Sequence, residues 1–417
     1  MSILSVTERK ITDIRDVKEE VEYIFLSRDV VHKHSKAIRD FLTFYVHFLE
    51  ALVEKKKRGA DVVLVAFTDH NFVYACDAIP IDYTHMVRLC TQKSIKDAEE
   101  YFHIPAEVCQ MSKGEIGAYY EFKDSFDKIL FGSYGCELQY AMKSLMEPLG
   151  YQTFLFDTTL RTEEDSPQRA KIARDHMREE LEREAKWING KGINKAKLQE
   201  EIYRANRLCD KVVHLMNLQK KHPTYMGCLP SMLVYTGRAG YYGQPEEYEK
   251  HVDAIIAEFE SLPEGSYNEK RTSLVWSGAR GVDFSIYLAM DLLGARICAW
   301  DVAGTGTKKY DETIDPLESY LDFVLGKENE KPVRGFPVEG LEENLERVEK
   351  LYQDAEADGV YINIIQGCTH GTMRSEMLRQ SLAQKGIPTL GLNVMQQSGE
   401  STGQMITRLK AFIEMLS

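Results

Sequence analysis

The sequence lacks a long apolar run, a surplus of basic residues and an apolar leader. No stretch approaches the roughly 20 apolar residues that a helix needs to cross a bilayer. Charges already occur within the first ten residues, where a signal peptide would place its apolar core. The formal net charge of −13 argues against nucleic acid or an anionic membrane surface as the main partner. We therefore predict a cytoplasmic protein that binds neither nucleic acid nor membrane.

Two sequence motifs that carry common chemistry are also missing. The chain has no G-x-x-x-x-G-K-[ST] segment for binding nucleotide phosphates, and no C-x-x-C pair or ferredoxin-type cysteine run. In a reducing compartment cysteines rarely form disulfides, so they serve as core residues, metal ligands or redox groups. The eight cysteines are Cys76, Cys90, Cys109, Cys136, Cys209, Cys228, Cys298 and Cys368.

Short apolar runs alternate with helical patterns along most of the chain. With 417 residues, of which 43% are hydrophobic, two or three domains are expected. Strand–helix alternation is typical of parallel sheets. We therefore predict an α/β protein with two flavodoxin- or Rossmann-like domains. The predicted strands are 62–67, 128–133 and 152–157 in the first domain, and 273–278, 295–301, 360–367 and 389–394 in the second.

The same patterns divide the chain into four segments: a helical segment at 1–56, a first α/β domain at 57–163, a helical insert at 164–265 and a second α/β domain at 266–417. The insert is predicted to hold two long charged helices that break near 189–192, a turn-rich patch at 223–243 and a further helix. Cys209 lies on the apolar face of the second long helix and is interpreted as packing. Cys298 lies inside a strand, and Cys76 and Cys90 are also interpreted as core residues.

Three other cysteines lie where ligands collect in α/β proteins. Cys136 and Cys368 each follow a predicted strand and a glycine and begin a helical pattern, and Cys109 lies in a polar stretch before the same sheet as Cys136. Ligands bind at the carboxyl ends of parallel strands, and a helix N-terminus favours the thiolate. Three thiolates around one point favour iron–sulfur or zinc. The plain alternative is three unrelated loop cysteines.

Three segments of the sequence also resemble a known family. They are EVCQMSKGEIG around Cys109, KILFGSYGCELQYAMKSLMEPLGYQTFLFD around Cys136, and the tail that begins QGCTHGTMRSEMLRQSLAQKGIPTLGLNV at Cys368. In order and spacing they are similar to the benzoyl-CoA reductase and 2-hydroxyacyl-CoA dehydratase family. The similarity covers most of 57–417, and the last segment is the most specific.

The resemblance implies an iron–sulfur enzyme subunit. Cys109, Cys136 and Cys368 would ligate the cluster, a [4Fe-4S] cluster or a larger double-cubane cluster. A separate ATP-hydrolysing iron–sulfur activator would supply a low-potential electron for an acyl-CoA thioester. This fits the missing nucleotide-binding motif. A homologous second subunit, identical or merely related, is the other implied partner.

The residues proposed for substrate are Ser277, Gly278, Arg280 and His370. The first three belong to a Gly-rich turn between a strand and a helix, whose N–H groups can face a phosphate; a plain turn is the alternative. His370 lies two residues after Cys368 and is a candidate general acid, metal ligand or surface residue. Residues 304–309 offer further amides and two lysines, or form a solvated loop.

Several functions are compatible with these sequence features. The turn Tyr-x-Gly-Cys at Cys136 and the segment Val-Cys-x-x-x-Lys at Cys109 favour a benzoyl-CoA reductase subunit. An (R)-2-hydroxyacyl-CoA dehydratase subunit is the runner-up, and a double-cluster reductase of small molecules is a third. From other classes, the alternatives are an electron-transfer protein and a zinc-stabilised binding protein that uses the three cysteines and His370.

Overall fold

A computed structural model describes residues 22–88, 95–133, 136–159, 166–279, 283–302, 306–326, 340–394 and 400–417. Within the predicted N-terminal helical segment, the helices are α1 (Lys36–Val46) and α2 (Phe48–Lys57). The hydroxyl of Ser35 accepts the Ile38 N–H and caps α1. Helix α2 ends in three lysines, whose charge is favourable at the negative end of a helix dipole. The part of this segment before residue 22 lies outside the described residues.

The first sheet has four parallel strands in the order β2–β1–β3–β4. Its elements are β1 (Val62–Ala66), α3 (His70–Ala75), β2 (Ile79–Asp82), α4 (Tyr83–Val87), α5 (Gln110–Glu121), β3 (Lys128–Gly132), α6 (Leu138–Met146) and β4 (Gln152–Phe156). All three predicted strands are confirmed. Strand β2 was not predicted because it contains Pro80, which lacks an N–H. Strand β2 is at the edge of the sheet, where proline is tolerated.

The segment predicted as a helical insert contains α7 (Pro167–Asn189), α8 (Lys195–Lys221), α9 (Cys228–Thr236) and α10 (Pro245–Glu260). The predicted break between the long helices is confirmed at Gly190, which has φ of +71°. The interpretation of 223–243 as a turn-rich patch is wrong in its centre, because residues 228–236 form the helix α9. This helix is buried along its whole length. Pro230 lies in the first turn of α9, where its missing N–H costs no helical bond.

The second sheet has the order β6–β5–β7–β8 and is also entirely parallel. Its elements are β5 (Thr272–Gly278), α11 (Phe284–Leu292), β6 (Ala295–Asp301), α12 (Pro316–Leu325), α13 (Leu341–Asp354), β7 (Gly359–Ile365), α14 (Thr369–Gln384), β8 (Thr389–Val394) and α15 (Glu400–Leu416). The four predicted strands are confirmed. Both sheets therefore share one strand order, and in each the order reverses beside the first strand, β1 or β5.

The predicted α/β fold class is confirmed by these two sheets and their flanking helices. One apolar cluster joins a face of each sheet, with Leu64 and Phe131 from the first and Trp276 and Tyr361 from the second. The opposite face of the first sheet packs against α7 and α8 of the insert. Among the described helices, none is long and apolar enough to cross a bilayer. The segment boundaries at 56, 163 and 265 stay a prediction.

The ends of β1 and β3 meet at Gly132. A β-carbon at this position would lie 2.1 Å from the carbonyl oxygen and 2.8 Å from the carbonyl carbon of Phe67. Phe67 is itself held at a φ of +60°, so its backbone has little freedom to withdraw. Glycine at 132 is therefore required by backbone packing.

We expect Gly132→Ala to lower the free energy of unfolding by about 1–3 kcal/mol, because the new methyl group overpacks backbone against backbone. Urea denaturation monitored by circular dichroism measures the change. Gly306→Ala is the matched control, since a β-carbon there meets nothing within 4 Å. Equal stability of the two variants would contradict this account of Gly132.

Candidate functional site

The turns that carry Cys109 and Cys368 meet through their backbones. The Gln110 N–H donates to the Gln366 carbonyl oxygen at 2.9 Å. Gly367 has a φ of +78°, and a β-carbon on it would lie 2.9 Å from the carbonyl oxygens of Glu107 and Val108. Only glycine combines this conformation with so close an approach. A turn of the first α/β unit and a turn of the second are thus in direct contact.

The thiols of Cys109 and Cys368 interact at this contact. Cys109 is the N-cap residue of α5, and Cys368 is the N-cap residue of α14. Their side-chain hydrogen bond raises the pKa of Cys109, to which burial also contributes, and lowers the pKa of Cys368. The Gly371 N–H donates to the Cys368 sulfur at 3.3 Å and adds to this lowering. The pair therefore favours a thiolate at Cys368 and a protonated donor at Cys109.

Cys136 lies beside this pair, two residues before α6 begins. Burial raises the pKa of its thiol to about 12, while the nearby Leu138 N–H acts in the opposite direction. A charge on Cys109 raises the pKa of Cys136, and a charge on Cys136 raises that of Cys368. Even so, the described residues contain no group of three or more His, Cys, Asp or Glu side chains arranged to hold a metal ion.

The three predicted ligands are chemically suited to a thiolate-bound cluster. Each thiol lies at the start of a helix, where the dipole favours a negative sulfur, and thiolates suit iron–sulfur and zinc. The structure brings Cys109 and Cys368 together and places Cys136 within electrostatic reach of both. The ligand set itself stays a prediction.

A buried carboxyl group lies next to the thiols. Glu115 is 1% exposed on α5; its carboxylate accepts the Tyr119 hydroxyl and is approached by the Gln139 amide nitrogen at 3.3 and 3.4 Å. Burial raises the pKa of Glu115 to about 8. Lys113 is also buried, and it bonds to Glu99 and to the Ala106 carbonyl oxygen instead. Neither Lys113 nor Glu115 is therefore exposed to solvent.

A histidine at the start of α3, the helix that follows β1, lies beside an aspartate at the carboxyl end of β2. The His70 Nε2 is 3.1 Å from the Asp82 Oδ2, and Asp82 also accepts the Thr84 N–H. A charge on Asp82 contributes to the raised pKa of Glu115, so this pair and the buried carboxyl group share one region. Sequence reasoning missed both residues. Asp82 is the last residue of β2, the strand that was not predicted because of Pro80. Its position at a strand end is the sequence signal that could have identified it as a site residue.

Two of the predicted substrate residues line a cavity at the carboxyl end of the second sheet. Ser277 donates to Asp301 at 2.8 Å, and Arg347 pairs with the same carboxylate at 2.6 Å. Arg280 lies outside the described residues, and His370 is exposed in the first turn of α14. The cavity is lined by Ser277, Gly278, Asp301, Asn344, Arg347, Ile362, Arg374, Ser375 and Leu378.

The other cysteines behave largely as interpreted from the sequence. Cys76 and Cys209 are buried, and Cys298 is half-buried with its thiol donating to the Leu274 carbonyl oxygen. Cys90 lies outside the described residues. Lys308 and Lys309, predicted as alternatives for phosphate or solvent, bond to carbonyl oxygens of α12 and to Asp210.

Residues 66–416 match the family described as 2-hydroxyglutaryl-CoA dehydratase, D-component. The chain belongs to this family. The matched range includes the second sheet, strands β2, β3 and β4 of the first sheet, and all three candidate cysteines. The predicted 2-hydroxyacyl-CoA dehydratase family is therefore confirmed, whereas the match does not distinguish the benzoyl-CoA reductase subtype that the sequence favoured. A comparison with curated proteins finds no match.

In this dehydratase-family chain, Cys368 should be the most readily ionised thiol of the site. We expect its alkylation by iodoacetamide in the metal-free protein to rise with pH around a midpoint below the ~8.5 of an ordinary cysteine. Peptide mass spectrometry at a series of pH values measures it. Cys109→Ala removes the hydrogen-bond donor and should move the midpoint upward, while Cys136 should react slowly at neutral pH. An unchanged midpoint in Cys109→Ala would contradict the thiol pair.

Proposed function

We propose that the chain is the iron–sulfur component of a 2-hydroxyacyl-CoA dehydratase, with Cys109, Cys136 and Cys368 as cluster ligands. The observation that carries this proposal is the close backbone contact between the turns of Cys109 and Cys368, where the Gln110 N–H donates to the Gln366 carbonyl oxygen. The electrostatic interactions of Cys136 with both thiols support it. Membership of the dehydratase family supports the reaction class. The cofactor is proposed as a [4Fe-4S] cluster or a larger double cluster.

The chain's own residues supply the surroundings of this cofactor. When bound, the cluster supplies one-electron transfer to an acyl-CoA thioester. The helix N-termini at the three cysteines favour negative sulfur ligands. Glu115, whose pKa is raised to about 8, holds a proton at neutral pH inside the water-excluded network. His70 and Asp82 form an acid–base pair in the same region, suited to moving the protons that loss of water from a 2-hydroxyacyl group requires.

The cavity at the second sheet is proposed to bind phosphate of coenzyme A. Its lining carries two arginines, Arg347 and Arg374, together with Asp301, which pairs with Arg347. Arginine suits phosphate because its planar fork donates two parallel hydrogen bonds. Ser277 and Gly278 contribute from the end of β5. Arg280 and His370 stay proposed substrate residues on the sequence alone.

Two protein partners complete the proposal. A homologous second subunit and a separate ATP-hydrolysing iron–sulfur activator would work with this chain. The family description names a D-component, which is one part of a larger enzyme. The missing nucleotide-binding motif agrees with an activator that hydrolyses ATP on another polypeptide.

Replacing Cys109, Cys136 and Cys368 together by serine should remove iron, sulfide and visible absorbance from the anaerobically purified protein, because serine is a poor ligand for iron–sulfur clusters. Iron, sulfide and zinc analysis measures the outcome. Cys298→Ser is the matched control and should keep the colour. A colourless wild-type protein with stoichiometric zinc would support the zinc-stabilised alternative and overturn the iron–sulfur proposal.

The choice of substrate distinguishes dehydration from reduction. With the activator and the second subunit present, we expect the chain to convert an (R)-2-hydroxyacyl-CoA to the enoyl-CoA. Chromatography of the thioesters measures this conversion. Turnover of benzoyl-CoA alone would favour the reductase, which at present has only the cysteine segments of the sequence in its support. A cluster spectrum that no acyl-CoA changes would favour an electron-transfer protein.

A further inference from the structure

A buried side-chain pair connects two of the cysteine-bearing helices. Glu115 lies in the second turn of α5, the helix capped by Cys109, and Gln139 lies in the first turn of α6, which follows Cys136. The amide nitrogen of Gln139 approaches both carboxylate oxygens of Glu115, at 3.4 and 3.3 Å. Helix α5 otherwise packs against α4, and α6 against β3 and β4. The pair is thus a direct link between the two helix starts.

We propose that Glu115 and Gln139 form a positioning link that sets the distance between the Cys109 and Cys136 thiols. This inference rests on the proposed function in one respect, namely that these two thiols act as ligands of a common cluster. The link acts through the helices and not by touching substrate, so both are positioning residues.

Burial makes the link stiff. Gln139 is fully buried and Glu115 nearly so, and no solvent competes for their hydrogen-bonding atoms. The Tyr119 hydroxyl holds the same carboxylate from one turn further along α5. A side chain fixed from two directions in a close-packed interior has little freedom to change its rotamer.

Electrostatic interactions place the link beside the sulfur atoms. A charge on Glu115 raises the pKa of Cys136, and a charge on Cys109 raises the pKa of Glu115. The carboxyl group therefore lies within interaction range of both thiols.

The amide oxygen of Gln139 supplies a second, independent indication. It is buried and has no hydrogen-bond partner among the described residues. A neutral carboxyl group carries an O–H donor, and a primary amide offers both a donor and an acceptor. A protonated Glu115 therefore carries the kind of donor that the buried amide oxygen lacks.

The test compares variants that keep side-chain volume but remove the link. Glu115→Met and Gln139→Met delete the hydrogen bonds, Glu115→Gln retains them, and Tyr140→Ala changes an exposed neighbour of Gln139. In the metal-free full-length chain, a short bifunctional thiol reagent joins Cys109 to Cys136, and peptide mass spectrometry quantifies the cross-link. We expect the methionine variants to lose cross-linking severalfold, while Glu115→Gln and Tyr140→Ala match the wild type.

A second measurement follows iron release from the anaerobically purified chain to a chelator. The methionine variants should release iron severalfold faster and show an altered cluster spectrum, and Glu115→Gln should restore both. If wild-type protein holds no iron, the proposed function fails, but the cross-linking result still decides the link. The link is overturned if both methionine variants cross-link as the wild type does, or if Glu115→Gln behaves like Glu115→Met. Thermal unfolding identifies a variant that fails to fold, and Glu115→Gln then decides.

Discussion

The site depends on the close approach of Gly367 to the backbone at 107–109. Because the contact is made by main-chain atoms and secured by the bond from Gln110 to Gln366, the two turns are held at a fixed distance whatever their side chains do. The left-handed conformation of Gly367 turns the chain so that Cys368 begins α14 toward Cys109. A larger residue would separate the two α/β units at the point where their thiols interact.

Helix starts and burial act on the three thiols in opposite directions. Each sulfur lies near backbone N–H groups at the beginning of a helix, which favours the thiolate. Burial favours the neutral thiol and dominates at Cys136. Cys368 alone among the three has a lowered pKa, because Cys109 donates to it. The site therefore combines one thiol of lowered pKa, Cys368, with two thiols of raised pKa, Cys109 and Cys136. A metal ion that binds all three sulfurs would have to displace the remaining protons.

Local sequence patterns predicted the strands and helices well, but they did not predict how these elements pack in the fold. The bounds of β6 and β8 follow directly from the apolar runs ARICAWD and TLGLNV. Strand β2 and helix α9 were missed because Pro80 and Pro230 are read locally as breakers, although an edge strand and a first helical turn both tolerate proline. In both elements the position in the folded protein, and not the local sequence, determines whether proline is tolerated.

The meeting of Cys109 with Cys368 was predictable in outline, since strand ends at a parallel sheet attract functional residues. The Glu115–Gln139 contact was not, because neither residue has a periodic or motif-like signal and their proximity arises only when α5 and α6 pack. The same holds for His70 and Asp82, because His70 begins α3 and Asp82 ends β2. Charged residues on a short polar helix suggest solvent exposure, and the near-complete burial of α5 reverses that expectation.

The order of the turns along the chain has a consequence for biosynthesis. Cys109 and Cys136 belong to the first sheet, whereas Cys368 follows β7, the penultimate strand. Chains are synthesised at roughly 5–20 residues per second, so the ribosome needs on the order of tens of seconds to extend the chain from Cys136 to Cys368. During that interval the first lobe presents two sulfurs without their third companion. If the three thiols bind one cluster as proposed, that cluster can be completed only after residue 368 has been synthesised.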